Sequence, residues 1–319
     1  MLSSRRRAII MRTESPLANS VILEAFARTR LLLERSRITD AAIEAEVLVR
    51  LAVRKDRARY FASLQEPLGA EQSTALDELV QRRLGGEPLG YIVGSREFYG
   101  MDFQVDSRVL IPRPETELLV DLALGFLAER KAALRSECGT GGRSPVTVAD
   151  VCTGSGAVGI AIAASAQDVR VIATDISADA IDVAAANATA HSVLDRVELR
   201  LGDLLGPIPE ALDLIVVNPP YIPSANWEAL PSDVKMEPRM ALDGGDDGLD
   251  IFRNLLKQGA NRLAPNGAMF VELMPEQIEN ADRAARKLFE KAAVGSMQDL
   301  SGNPRVLTIQ RGGIASMPR

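Results

Sequence analysis

Leu214-Ile215-Val216-Val217 is an apolar run of strand length that stops abruptly in Asn218-Pro219-Pro220-Tyr221. Consecutive prolines can neither donate to a ladder nor continue a helix, so the run must be a buried strand ending in a rigid turn. The turn presents an amide side chain, a carbonyl with no ladder partner and an aromatic ring at one edge of a sheet. Those groups can hold a planar –NH2 group. They predict an enzyme that modifies an amino nitrogen.

Around this strand the pattern alternates. Strands are expected at 146–152, 169–174, 196–201, 213–217 and 267–273, with helices near 157–166, 178–190, 248–263 and 275–291. Such alternation gives a mostly parallel sheet covered on both faces. Two more β runs, near 293–299 and 304–310, turn at Ser301-Gly302-Asn303 and add an antiparallel pair, for seven strands in all.

The front of the chain differs. Residues 17–90 read as a helical domain. One stripe is expected at Ile43, Val47, Leu48 and Leu51 behind an Asp40 N-cap, another at Leu76, Leu79, Val80 and Leu84, stopped by Gly85-Gly86. Residues 91–112 read as a β-hairpin linker around Tyr99-Gly100, and 113–319 as the catalytic domain. That domain opens on the stiff Pro112-Arg113-Pro114, a helix from Glu115 to Glu129 and a loop at 135–145. Residues 1–16, with Arg5, Arg6, Arg7 and Arg12, are expected to be a disordered start or a transit peptide.

Composition removes other chemistries. One histidine, His191, and two cysteines, Cys138 and Cys152, leave no usual zinc site, no His-based triad and no disulfide framework. No apolar run approaches the roughly eighteen residues of a membrane span. Fifteen basic against twelve acidic residues precede position 91, and 22 against 31 follow it. An acidic catalytic half argues against general nucleic-acid binding, which depends on neutralising phosphates.

Asp150-Val151-Cys152-Thr153-Gly154-Ser155-Gly156 ends the first strand and opens a helix, whose free N–H groups and glycines suit a close-lying ligand. Asp175 ends the second strand, where an acid can bind both ribose hydroxyls, and Gly202-Asp203-Leu204 ends the third. Gly154, Gly156 and Gly159 also satisfy G-x-G-x-x-G, so a dinucleotide competes with S-adenosylmethionine. Asn218-Pro219-Pro220-Tyr221 after the fourth strand decides for S-adenosylmethionine. Candidate cofactor residues are therefore Cys152, Thr153, Gly154, Ser155, Gly156, Asp175, Asp203, Leu204 and Asn218. No metal is expected.

Nearly the whole chain resembles the N5-glutamine methyltransferases of peptide chain release factors. The likeness rests on Glu87-Pro88-Leu89-Gly90-Tyr91-Ile92, Arg96-Glu97-Phe98-Tyr99-Gly100, Ile111-Pro112-Arg113-Pro114-Glu115-Thr116-Glu117, Asn218-Pro219-Pro220-Tyr221, Ala241-Leu242-Asp243-Gly244-Gly245 and Asp299-Leu300-Ser301-Gly302-Asn303-Pro304-Arg305. Cys152 stands where these enzymes usually carry glycine, and Glu272 lacks the glycine common after it. The sister family acting on a large-subunit ribosomal protein often has that cysteine but usually lacks Pro114-Glu115-Thr116-Glu117.

The resemblance implies a Rossmann-like class I S-adenosylmethionine-dependent methyltransferase domain, preceded by a helical domain that docks the release factor. Asn218, Pro219 and Tyr221 would be catalytic, and Asn218, Pro219, Pro220 and Tyr221 would bind the glutamine of the Gly-Gly-Gln motif. Glu237, Arg239, Arg113 and Glu115 are secondary candidates, while Trp227 and His191 read as structural. The alternatives are the ribosomal-protein enzyme and a nucleic-acid amino-methyltransferase. The expected setting is a cytoplasmic monomer, or the mitochondrial matrix if the start is a transit peptide, needing neither membrane nor nucleic acid.

Overall fold

The computed structural model describes residues 20–138 and 145–312. Expectations for residues 1–16 and for most of the 135–145 loop lie outside them. The chain divides into two compact units between Val93 and Gly94.

The first unit is helical: α1 (Ile22–Arg35), α2 (Ala41–Val53), α3 (Arg57–Ala62), α4 (Ala70–Leu84) and α5 (Leu89–Val93). Its core joins Leu33, Leu48, Tyr60, Leu76, Val80 and Ile92. The stripe on α2 is rotated from the expected one. Ala41, Ala45, Leu48, Val49, Ala52 and Val53 face inward, while Ile43 is 65% exposed and Leu51 lies at the surface. Packing selected the small residues, over which a neighbouring helix can pass closely. Asp40 holds the N-cap position, yet its side chain accepts no capping bond. Residues 91–93 are helical rather than part of the hairpin, because Pro88 starts a turn whose carbonyl receives the Tyr91 and Ile92 amides. Gly94, at φ 81°, ends it.

The second unit begins with a hairpin, β1 (Ser95–Phe98) and β2 (Met101–Gln104), joined by Tyr99-Gly100. Both turn residues have positive φ, 53° and 72°, as a two-residue hairpin whose twist matches its strands requires. The Tyr99 amide donates to Glu117 Oε1 at 2.9 Å and its hydroxyl to Asp121 Oδ1 at 2.8 Å, which pins the turn to α6 (Glu117–Cys138). A 3-10 turn, Pro114–Thr116, precedes α6. The helix runs past the expected end at Glu129 into the segment read as loop.

The remaining elements are β3 (Val146–Val151), α7 (Ala157–Ser165), β4 (Val169–Asp175), α8 (Ala178–Ala190), β5 (Val197–Leu201), β6 (Leu212–Val217), α9 (Asp250–Arg262), β7 (Leu263–Glu272), α10 (Ile278–Leu288), β8 (Ala293–Gln298) and β9 (Pro304–Gln310). Among the described residues seven strands form one sheet in the order β5-β4-β3-β6-β7-β9-β8, with β9 antiparallel to both neighbours. The apolar run in β6 serves both faces. Leu214 and Val216 join the core that includes Leu119, Phe126 and Ile160, whereas Ile215 and Val217 join Phe252, Leu255 and Met269 opposite. Continuous hydrophobicity is the signature of a strand buried on both sides.

One amide ties the hairpin to the sheet edge. Asn187 of α8, wholly buried, accepts the Gln104 amide at 2.8 Å and donates to the carbonyls of Gln104 and Ser155 at 3.0 and 2.8 Å. His191 caps the same helix and stays structural, its Nε2 lying 2.9 Å from the Asp102 carbonyl oxygen.

Candidate active site

Parallel strands bring their carboxyl ends to one edge, and the predicted cofactor residues lie in or just after such ends. Cys152 follows β3, Asp175 ends β4, Gly202 to Leu204 follow β5, and Asn218 follows β6. A cavity of about 510 Å³ opens there. Cys152, Gly154, Asp175, Asp203, Leu204, Asn218 and Pro220 line it, together with Arg108, Val109, Ile176 and Met240. Thr153, Ser155, Gly156, Pro219 and Tyr221 are not in its lining.

The glycine turn differs from expectation in one respect: the N–H groups of its three glycines are engaged. The Gly154 amide donates to Asp175 Oδ2 at 2.9 Å, the Gly156 amide to the Thr153 carbonyl at 2.8 Å and the Gly159 amide to Asp150 Oδ2 at 2.9 Å. Thr153 Oγ1 donates to the same Asp150 oxygen at 2.6 Å. Burial pushes the Asp150 carboxyl up to about 6 against these two bonds. Close packing accounts for Gly156 and Gly159. A Cβ on Gly156, which sits at φ 83°, would meet Ile160 Cδ1 at 2.7 Å, and one on Gly159 would meet Asp150 Oδ2 at 2.8 Å. Two of the three glycines in the G-x-G-x-x-G spacing are thus a packing requirement, whereas a Cβ on Gly154, at φ 55°, would meet open space. Cys152, also in the left-handed region at φ 56°, has its thiol pushed up by burial and then by Asp175.

Asp175 is held from both sides, Oδ2 by Gly154 and Oδ1 by the Ser177 amide at 2.9 Å. Burial raises its carboxyl and the backbone bonds oppose that shift. Each oxygen keeps a second lone pair, so the fixed carboxylate can accept from a vicinal diol in the cavity. Thr174 Oγ1 donates to the Leu204 carbonyl at 2.8 Å and supports the turn carrying Asp203 and Leu204.

At the strand-ending turn Asn218 Nδ2 donates to Thr116 Oγ1 at 3.2 Å, which leaves Oδ1 as the available acceptor. Tyr221 is half-buried against the core beneath the sheet edge, and burial pushes its phenol up. Gln277 locks the turn from behind, donating through Nε2 to the Tyr221 carbonyl at 2.8 Å and to the Asp247 carbonyl at 3.1 Å. Gly248 lies in the same contact. A Cβ there would sit 2.1 Å from the Tyr221 oxygen and 2.3 Å from Gln277 Nε2, at a φ of 76°. Gly248→Ala should therefore cost about 2 kcal/mol of stability through strain and overpacking. A melting temperature unchanged within 1 °C on thermal denaturation would disprove the tight fit.

The segment at 222–247 is less open than a free loop. Ile222 bridges Asp243, and 3-10 turns occupy Ser224–Ala229, Val234–Met236 and Arg239–Ala241. Glu237 is 4% exposed; it accepts the Ile111 amide at 2.9 Å and pairs with Arg113. Glu237, a secondary candidate for substrate contact, here braces its loop to Ile111 and Arg113. Arg239 pairs with Asp243 and stacks its guanidinium 4.9 Å from the Trp227 ring centroid, so Trp227 packs within the loop. The residue that sequence reasoning missed is Glu272, the last of β7. It is 1% exposed and its carboxyl is pushed up to about 7 by burial, against hydrogen bonds from Thr116 and Tyr221. A charged residue closing a long apolar strand was the available signal.

Comparison with known proteins agrees with this architecture. Residues 24–94 match the PrmC N-terminal domain family and residues 141–229 the methyltransferase small domain family. The chain is 39% identical over 270 residues to a release factor glutamine methyltransferase from Moorella thermoacetica, covering 84% of this chain and 91% of that one. It is 32% identical over 301 residues to the protein of the same name from Bradyrhizobium diazoefficiens, covering 94% and 98%. Among solved structures the hMettl16 catalytic domain superposes with a TM-score of 0.53 at 13% identity, over 76% of this chain and 84% of that one, a likeness of fold. Among the described residues no helix is long and apolar enough to cross a membrane.

Proposed function

This chain belongs to the release factor glutamine methyltransferase family, and on that premise we propose how its own residues methylate the side-chain nitrogen of a release-factor glutamine. The observation that carries the reading is Asn218 on the rim of the cavity, its Nδ2 engaged by Thr116 and its Oδ1 available.

S-adenosylmethionine is the donor, and it supplies a methyl group made electrophilic by the adjoining sulfonium. The site fits it. Asp175, fixed by two backbone amides, can take the ribose hydroxyls. Ile176 and Leu204 offer apolar walls for a base, and the cavity is of a size that encloses such a ligand.

The acceptor presents a harder problem, because an amide lone pair is delocalised into its carbonyl. Asn218 Oδ1 accepts one N–H of the substrate glutamine and the Pro219 carbonyl accepts the other. Pro219 can offer that carbonyl because the Pro-Pro turn removes it from the ladder. Two negative dipoles then face the nitrogen as positive charge develops on it, which lowers the barrier electrostatically. The same bonds aim the nitrogen, a gain in orientation. Tyr221 packs on the flat amide, and Pro220 closes the pocket beside it. The nitrogen releases its extra proton after transfer, so the turn needs no strong base.

The first unit docks the protein substrate. Exposed Leu23, Leu31, Ile43, Leu51 and Phe61 support this role, since apolar side chains left outside a core favour burial against a partner. The enzyme acts as a cytoplasmic monomer.

A radiolabelled methyl-transfer assay with release factor, ribosomal protein and duplex DNA offered separately tests the reading. Label is expected on release factor, in the tryptic peptide containing Gly-Gly-Gln. Label confined to DNA or to the ribosomal protein would overturn it.

A further inference from the structure

The amide of Asn218 could sit in either of two nearly isosteric orientations, and only one presents an acceptor to the substrate. What decides between them lies behind it. Thr116 is 4% exposed and belongs to the 3-10 turn Pro114–Thr116; its hydroxyl receives Asn218 Nδ2. On its other side is Glu272, which is 1% exposed and close enough to the Thr116 and Tyr221 side chains for both to favour its charged form. Among the described residues its Oε2 is buried with no hydrogen-bond partner.

We propose that Thr116 and Glu272 are positioning residues for methyl transfer, a directed chain that turns Asn218 Oδ1 toward the acceptor amide. The proposal rests on the reading of Asn218 given above. An ionised carboxylate can only accept, so the single Thr116 hydroxyl proton points to Glu272. The hydroxyl oxygen is left with lone pairs alone toward Asn218, and it must receive the –NH2 edge. Oδ1 is thereby forced to the opposite side. A protonated Glu272 can donate to Thr116 instead, freeing the hydroxyl proton for Asn218 Oδ1 and allowing the amide to turn over.

The charges facing Glu272 define when this happens. Burial favours its neutral form, as does Glu115 on the 3-10 turn. Arg305 on β9 favours the charged form but is shared with Asp299, 3.5 Å from its Nε. Tyr221, itself influenced by Arg113, also favours the charged form from the strand-ending turn. The balance leaves the carboxyl at about 7. It is protonated below that value and ionised above it, so the chain is correctly directed on the alkaline side.

The test compares Thr116→Val, Thr116→Ser, Glu272→Gln and Asn218→Ala in full-length protein, with cofactor affinity measured by calorimetry. Thr116→Val should lower kcat by roughly 30-fold or more, a typical loss for one misdirected transition-state contact, with cofactor Kd within about twofold of wild type. Thr116→Ser, which keeps the hydroxyl, should remain within about threefold. Wild-type kcat should rise with pH through about 7, and Glu272→Gln should lose that limb. Thr116→Val with normal kcat, or Glu272→Gln with the limb intact, overturns the proposal. Should Thr116→Val fail to hold cofactor, the Glu272→Gln profile decides alone. If Asn218→Ala turns over normally, the reading of the turn fails; if it is inactive while Thr116→Val is normal, only the chain behind it fails.

Discussion

Replacing Asn218 with alanine is expected to abolish turnover while sparing the cofactor. Losing the Oδ1 acceptor leaves one substrate N–H unpaired as charge builds, and the orientation imposed through Thr116 disappears with it. By analogy with removal of oxyanion-hole donors, kcat should fall by a factor on the order of 100 to 1,000, about 3 to 4 kcal/mol in the barrier. Asn218 follows β6 in the cavity lining, and Asp175, the proposed ribose-side anchor, lies two strands away across β3. Calorimetry should thus show nearly wild-type affinity for S-adenosylmethionine. Weak binding accompanied by normal turnover at saturation would reverse the assignment.

Asp175→Ala should do the opposite. Removing a carboxylate positioned for two hydroxyls is expected to weaken S-adenosylmethionine binding by roughly 100-fold, the sum of two charge-assisted hydrogen bonds. Two backbone amides, Gly154 and Ser177, lose their acceptor as well, so a stability loss of about 1 to 2 kcal/mol should accompany the change. Saturating cofactor should restore much of kcat, because nothing at Asn218 has moved. A dissociation constant within threefold of wild type would remove Asp175 from the ribose site.

These expectations trace to features that are legible in the sequence. Strand–helix alternation and strand-end residues are local, and the placement of Asp175 and Asn218 on one edge follows from parallel strands. What could not be read depends on contacts far apart in the chain. Glu237 meets Ile111 and Arg113 across more than a hundred residues, and nothing in its neighbourhood marks it as buried. Ile43 and Leu51 outrank alanine in hydrophobicity, yet the packing on α2 chose Ala41, Ala45 and Ala52. The glycine turn looked like a set of free donors because motif spacing does not reveal partners. Asp150 and Asp175 had already taken two of them. Glu272 stands out in the sequence only for the glycine missing after it, for the same reason: the role proposed for it depends on Thr116, in a turn that precedes it by most of the catalytic unit.

The enclosed amide of Asn187 couples two motions that would otherwise be separate. Because it grips the Gln104 backbone and the Ser155 carbonyl together, the ribbon of β1 and β2 cannot fluctuate without tugging on the turn at Gly154 to Gly156. Hydrogen–deuterium exchange should therefore find the Gln104 amide and the amides flanking Ser155 opening as one cooperative foldon. Saturation with S-adenosylmethionine should slow exchange in both segments, carrying the signal of occupancy out to the hairpin.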